Sequence, residues 1–497
     1  MTIVDLLSHL REVGVQLTLD GDKLKIKAPQ GALTDELKDQ LKQNKEAIIA
    51  FLQGATQEVK SEVFPVIDRN GKLPLSYNQQ GLWFFEQLTP GTAAYTMPIA
   101  FKLFGPVNID GLREAVAQVM QRQESLRSRF SADEQGISFV VIDDEPVVPF
   151  EASELVVEDN NADVVVRELV SRQAMSTFDL ERGPLFRLQC VTLKNSSGET
   201  LFTLLTGAMH HIISDGWSMN VFVKEIFIAY LQKVTALPIP VPPLTVQYVD
   251  FAAWQQDYLR SDTFAKRLGY WQRHLQGIPS HLALPTDFPR PFVQGNNGGK
   301  YEFTLDKALS DSFGEFCKQH DVTLFMGLMA AWKFVMFKYA GQEDFCLGIP
   351  MAGRNHKGLE NIIGLFIDPL IVRSPISAHK SLLDNLFAVR KEILDAFEHQ
   401  EVPLAQIVDK LQVPRNPAYA PIVQIGFQLQ NFAGVIADAE VDKALYRKIE
   451  ELSQLRVERV KIEDVASKFD MIVSLSQSDA NLSGYIEFNA DIFTQST

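Results

Sequence analysis

Hydrophobic positions return along this chain in two rhythms. Ile3, Leu6, Leu7, Leu10 and Val13 recur at helical spacing, which predicts a helix with one buried stripe. Thr2, with Asp5 three residues on, is placed to cap that helix, and Gly14 to end it. In VQLTLDGDKLKIKAP the rhythm changes to alternation: Leu17, Leu19, Leu24 and Ile26 flank Asp20-Gly21, a hairpin pattern stopped by Pro29. A second helical stripe, Leu37, Leu41, Ile48 and Leu52, follows Thr34. The expected order is helix, hairpin, then one long or two short helices. A unit of about fifty residues has a marginal core and gains from a partner or a second copy. Residues 54–71 lack sustained periodicity and read as a linker with a docked stretch around Val63 to Ile67.

The next informative stretch is LFTLLTGAMHHIISDGWSMNVFVKEIFIAY, residues 201–230. Its first six residues read as a buried strand. From Met219 onward Phe222, Ile226 and Tyr230 recur at helical spacing. His210, His211, Asp215 and Gly216 therefore fall at a strand-to-helix junction, a common position for sites in α/β folds. Adjacent histidines in extended chain point to opposite faces, a poor arrangement for one ion, so no metal is expected. If one histidine faces a cleft, the other faces the interior. From the residues alone, a catalytic and a structural histidine pair both stay open.

Composition narrows the classes. A length of 497 residues suggests two or three domains. The formal net charge of -15, with no long basic tract, argues against nucleic acid as a partner. Cys190, Cys317 and Cys346 form no CxxC and sit in apolar surroundings, as buried reduced thiols do. The N-terminus has no basic-then-apolar leader, and no apolar run reaches the roughly 18 residues of a membrane span, so the expected location is cytoplasmic, away from membranes. Lys23, Lys25 and Lys27 share one face of the hairpin. That face is either simply solvated or a basic strip that receives an acidic extended peptide by strand addition.

Residues 209–218, MHHIISDGWS, resemble the HHxxxDG signature of nonribosomal peptide synthetase condensation domains, whose lobes are similar to chloramphenicol acetyltransferase. Epimerisation domains and related acyltransferases share that signature, but ordered matches elsewhere narrow the resemblance. LPLSYNQQGLWFFEQL (73–88), RQESLRSRF (122–130), YVDFAAW (248–254), HQEVPLAQIV (399–408) and RNPAYAPIVQIGFQLQN (415–431) resemble successive condensation motifs. KFDMIVSLSQ (468–477) and LSGYIEFNADIF (482–493) look like the closing strands of the second lobe. The first 53 residues resemble a TubC-type docking domain. Departures are Gly81 where the first motif usually carries arginine, Asp368-Pro369 for the usual Asn-Thr, and Leu404-Ala405 for the common Phe-Glu. A charged segment, DKALYRKIEELSQLRVERVKIED, lengthens the path into the closing strands.

The resemblance implies an α/β fold of two chloramphenicol-acetyltransferase-like lobes in a V with a central tunnel, behind a small N-terminal α-β-β-α(α) docking domain. The implied divisions are docking domain 1–53, linker 54–71, first lobe 72–245 and second lobe 246–497. The implied reaction is amide formation between a carrier-bound acyl or peptidyl thioester and a carrier-bound aminoacyl amine. Thioesters are already activated, so the tasks left are alignment and handling of charge. The resemblance assigns His211 to these tasks, as general base or as the group that orients the amine. His210 is then structural. Asp215 anchors the loop through a bidentate pair with Arg354, or in second place Arg373, and Gly216 permits close backbone approach. No cofactor is expected on this chain, since carrier proteins bring the phosphopantetheine arms. Expected partners are donor and acceptor carriers, the C-terminal tail of an upstream subunit on residues 1–53, and adenylation and carrier domains following Thr497. Three other readings follow from related families: a starter domain taking a fatty acyl group from coenzyme A or a carrier, a non-catalytic recruitment domain, and an epimerisation domain. The intact histidine motif opposes the second, and the docking unit with its first and fourth motifs opposes the third.

Overall fold

The computed structural model describes residues 16–20, 23–27, 64–158, 161–295, 297–356, 358–374, 376–414, 416–430, 440–462, 467–477 and 481–497. The chain divides into two compact units, Met1–Val63 and Phe64–Thr497. In the first, β1 (Gln16–Asp20) and β2 (Lys23–Lys27) pair antiparallel, with Asp20 opposite Lys23 and Gln16 opposite Lys27. That is the hairpin the alternation of Leu17, Leu19, Leu24 and Ile26 predicts. The helices expected on either side of it lie outside the described residues.

The second unit opens with α1 (Tyr77–Leu88), β3 (Thr96–Phe104) and α2 (Ile109–Arg122). The short strands β4 (Ser128–Ala132) and β5 (Ser138–Ile142) pair with each other, and β6 (Phe150–Val156), α3 (Ala162–Ala174) and β7 (Phe186–Lys194) follow. Next come β8 (Thr200–His210), α4 (Gly216–Thr235), α5 (Tyr248–Tyr258) and α6 (Asp262–His274). The later half holds β9 (Gly298–Leu305), α7 (Lys307–Gln319), α8 (Leu324–Ala340), β10 (Cys346–Met351) and β11 (Asp368–Arg373). It continues through α9 (Leu382–Glu398), α10 (Leu404–Leu411), β12 (Ile425–Gln430) and α11 (Glu440–Ser453), and ends with β13 (Arg456–Arg459), β14 (Met471–Gln477) and β15 (Leu482–Asn489).

Two larger sheets organise these elements. One has the order β13-β3-β8-β7-β6 and the other β11-β10-β12-β14-β15-β9. Each carries its own core: Phe130, Phe186, Phe222 and Tyr230 against the first, and Trp271, Phe325 and Phe427 against the second. Strand β8 lies inside its sheet and is buried from Phe202 to His210, which is why its sequence is a continuous apolar run instead of an alternating one. It begins one residue before the six read from sequence and runs four residues past them. Gly207 permits the extension, because a Cβ there would lie 2.1 Å from the Arg187 carbonyl oxygen.

The charged segment 442–464 does more than lengthen a connection. Strand β13 returns to the first sheet and pairs with β3, with Val457 opposite Leu103. Ile449, Leu455 and Val457 join the first core, and Tyr446 packs edge-on to Phe101 and Phe227. The polar pattern concealed this role because only one face of the segment is apolar. Residues 64–69 are docked: Phe64 meets Trp254 edge-on at 5.3 Å, and Ile67 N–H donates to Asp250 at 2.9 Å. Arg69 bridges Asp250 and Glu124. Cys190, Cys317 and Cys346 are buried and unbonded. Among the described residues no single helix is long and apolar enough to cross a membrane.

Candidate active site

Strand β8 delivers His210 as its last residue, and the chain then makes a 3-10 turn, His211–Ile213, before α4 begins. The ring of His210 holds this turn, its Nδ1 accepting the Ile212 N–H at 3.1 Å. Its other nitrogen is buried without a partner, and burial lowers its pKa to about 4. His211 donates its backbone N–H to the Tyr95 carbonyl at 2.8 Å, and its ring lies edge-on to Tyr95 at 6.5 Å. Both histidines are buried, so neither separates into the solvent-facing partner of a simple alternating pair. The break into a 3-10 turn after His210 is the reason.

Burial, followed by the charge of Lys468, pushes the His211 imidazole well below its usual pKa. Backbone groups of His211 and Ser214 act in the other direction, and Nδ1 forms no proper hydrogen bond. The side chain is therefore neutral near pH 7, with a lone pair to offer. Lys468 is the lysine whose charge acts on this imidazole, and its side chain keeps accessible surface. Burial draws its pKa down to about 8, against the opposing pull of Glu487 and Asp215.

Helix α4 starts at Gly216, three residues before the apolar rhythm becomes visible, because Asp215 is its N-cap and accepts the Ser218 N–H at 2.8 Å. The other carboxylate oxygen of Asp215 accepts backbone N–H groups of Phe366 at 2.9 Å and Ile367 at 3.2 Å. Arg354 approaches the Asp215 carboxylate through one contact, Nη2 to Oδ1 at 3.3 Å. This is a single contact and not the bidentate fork expected, and the guanidinium is shared with other acceptors. Nη2 also donates to Ser218 Oγ at 2.6 Å, and Nη1 donates to the carbonyls of Leu359 and Ile362. Arg373 instead pairs with Asp344, at 2.8 Å from its Nε. Gly216 occupies the first turn of α4, and its φ is outside the left-handed region. Conformation therefore does not demand glycine there.

The loop 359–367 that grips Asp215 is itself clamped by residues from distant motifs. Gln123 accepts Ile363 N–H and donates to Asn361 O, while Ser125 Oγ donates to Ile363 O. Tyr248 OH donates to Leu365 O, and its ring closes on Gly364, where a Cβ would lie 1.9 Å from a ring carbon. Gly353 (φ 63) meets the same loop, a Cβ there falling 2.1 Å from Phe366 O. From α1, Gln79 donates to Ile212 O at 2.9 Å and Asn78 to Ile367 O at 3.0 Å. Sequence reasoning missed Gln79, Ser218 and Lys468 as site residues. All three do lie in motif stretches, SYNQQ, MHHIISDGWS and KFD, and that was the available signal.

The described residues bring together no group of three or more His, Cys, Asp or Glu fit to hold a metal ion. The site is thus a buried neutral imidazole on a clamped turn beside an ammonium. It suits binding and orienting a nucleophile and meeting charge that develops next to it.

Residues 69–497 match the family described as the condensation domain, and residues 3–54 match the TubC N-terminal docking domain. The chain belongs to the condensation-domain family: it is a peptide synthetase condensation domain behind an N-terminal docking domain, an amide-forming enzyme class that works with phosphopantetheine arms of carrier proteins. Malpinin synthetase of Mortierella alpina is 33% identical over 448 residues, covering 90% of this chain and 6% of that protein. Chondramide synthase of Chondromyces crocatus is 30% identical over 426 residues, covering 86% of this chain and 10% of that protein. The chain therefore spans a small part of the length of such relatives. The X-domain of teicoplanin biosynthesis, in its complex with OxyB, matches with a TM-score of 0.77 at 23% identity, over 88% of this chain and 92% of that one. The EpoB cyclization-docking bidomain of Sorangium cellulosum matches with a TM-score of 0.69 at 18% identity, over 100% and 95%. At these identities the two structures speak to the fold.

Proposed function

We propose that this chain joins a carrier-bound acyl or peptidyl thioester to the amine of a carrier-bound aminoacyl group, with His211 at the reacting centre. The observation that carries the reading is the buried, neutral His211 imidazole fixed between β8 and the Asp215-capped helix. A neutral imidazole accepts a hydrogen bond from the attacking amine and aims its lone pair at the thioester carbon. The new C–N bond forms as the C–S bond breaks, and the amine proton lost balances the one the departing thiolate takes up. A pKa held far down makes His211 a weak proton store, which favours orientation over full deprotonation. Lys468 offers positive charge to the oxyanion that forms. His210, Asp215, Gly216 and Arg354 act by holding the turn.

The two phosphopantetheine arms reach His211 through a tunnel between the lobes, from opposite sides. The docking domain takes the C-terminal tail of an upstream subunit as an added strand, with Lys23, Lys25 and Lys27 meeting its acidic residues. Adenylation and carrier domains charge the acceptor, and the setting is cytoplasmic. Intact-protein mass spectrometry of acyl-loaded and aminoacyl-loaded carriers tests this reading. The expected product is the acceptor carrier gaining the mass of the donor acyl group. Product from acyl-coenzyme A but from no carrier-bound donor would replace this reading with the starter one, and no amide from either donor would refute it.

A further inference from the structure

A cavity of about 90 Å³ lies between α1, α5 and the start of β11. Three aromatic rings, Phe251, Trp254 and Tyr258, form one side, with Trp254 and Tyr258 stacked at 5.3 Å. Two carboxylates, Asp368 and Glu401, reach its wall. Their situations differ. Glu401 is neutralised by Arg267 and contacted by His356 at 3.3 Å. Asp368 accepts one hydrogen bond, from Leu404 N–H at 3.1 Å, which leaves most of its acceptor capacity unused. Among the described residues no lysine or arginine lines the cavity. Among the described residues Asp368 is thus the carboxylate of this cavity without a cationic partner, and three aromatic rings share the wall with it.

We propose that this cavity is a subsite for a protonated amine on a short aliphatic arm, carried by one of the two substrates. The inference rests on the amide-forming reading above and adds a side-chain preference to it. The space suits the ligand, since a single water needs about 10–15 Å³ on the same measure and the cavity holds several times that. Its position suits a substrate. The walls at Gly353 and Phe366 continue directly into Arg354 and into the backbone N–H groups that bind Asp215. Asn78 on the opposite wall neighbours Gln79, which holds the turn containing His211. Burial raises the Asp368 pKa to about 7, as befits a carboxylate in want of a cation. An arriving ammonium draws that pKa back down and forms a charge-assisted hydrogen bond.

The test is competition between carriers loaded with 2,4-diaminobutyryl and norvalyl groups, which differ at the side-chain end as ammonium and methyl. One arm presents the pair as acceptors and the other as N-acetylated donors, with amide products resolved by mass. Wild type is expected to favour the diaminobutyryl group by about tenfold or more on one side. Asp368→Asn should bring that ratio close to one while norvalyl condensation continues at the wild-type rate, which also reports an intact fold. Equal use of both groups by wild type on both sides would overturn the proposal, and so would a preference that survives in Asp368→Asn. Absence of amide from every pairing, norvalyl included, would instead overturn the amide-forming reading and the subsite with it.

Discussion

Replacing Arg354 with methionine removes the guanidinium beside Asp215, and Asp215→Asn removes the charge it faces. Both side chains are almost wholly buried, at 3% and 1% exposure. Breaking a buried pair from one side costs about 3–5 kcal/mol, because the remaining charge has no water to turn to. At 3.3 Å and an effective dielectric of about 20, the direct attraction is about 5 kcal/mol, most of it offset by desolvation. The double variant leaves no stranded charge. It should therefore be less destabilised than the sum of the single variants, by a coupling of about 1–3 kcal/mol. The amide oxygen of the substituted asparagine satisfies the backbone N–H groups of Ser218, Phe366 and Ile367 only in part, so the double variant remains weaker than wild type. Urea unfolding of the four proteins measures the cycle, with equal m-values required for the comparison. Additivity within about 0.5 kcal/mol would refute the claim that these two groups anchor the loop as a pair.

Three further outcomes follow from single side chains. Lys468→Met should let the His211 pKa rise, so the acid limb of the condensation rate profile moves to higher pH; an unmoved limb would remove Lys468 from the electrostatics of the site. Lys333 is buried at 0% exposure, donates to Arg373 O at 2.8 Å and has its pKa lowered to about 7 by burial. The unfolded chain holds that proton up to about pH 10.4 while the folded one does not, so stability rises between about pH 7 and pH 10 by up to about 1.4 kcal/mol per unit. Lys333→Met should flatten this rise and raise the melting temperature at pH 7, read by calorimetry across the pH range. Gly81 sits in the interior of α1, exposed, with nothing within 4 Å of a Cβ. Gly81→Ala should stabilise by about 0.5–1 kcal/mol without changing the condensation rate, and a loss of stability would show a constraint at that position.

Much of this site was legible because its chemistry is local in sequence. His210, His211 and Asp215 fall within six residues, and the change from apolar run to helical rhythm marks a junction between them. The helix start was read late, at Met219, because Asp215 and Ser218 cap it through polar atoms that leave no mark on hydrophobic periodicity. The partners that tighten the site come from far along the chain, Gln79, Tyr248, Ile363 and Lys468, and no spacing rule connects them. The same holds for the fold. The hairpin is a matter of neighbours, whereas the return of β13 to β3 joins residues some 350 positions apart and shows only as a weakly amphipathic charged stretch. The family resemblance supplied Arg354, and the structure adds what its Nη donors hold besides Asp215: the carbonyls of Leu359 and Ile362 and the Ser218 hydroxyl.

The central claim is that amide formation runs through His211. Single-turnover condensation of acyl- and aminoacyl-carriers by wild type and His211→Ala, with urea midpoints measured on both, tests it most directly. The account predicts amide from wild type and a rate loss of about 10²-fold or more in the variant, with its fold retained. A folded variant that condenses as fast as wild type would contradict the account.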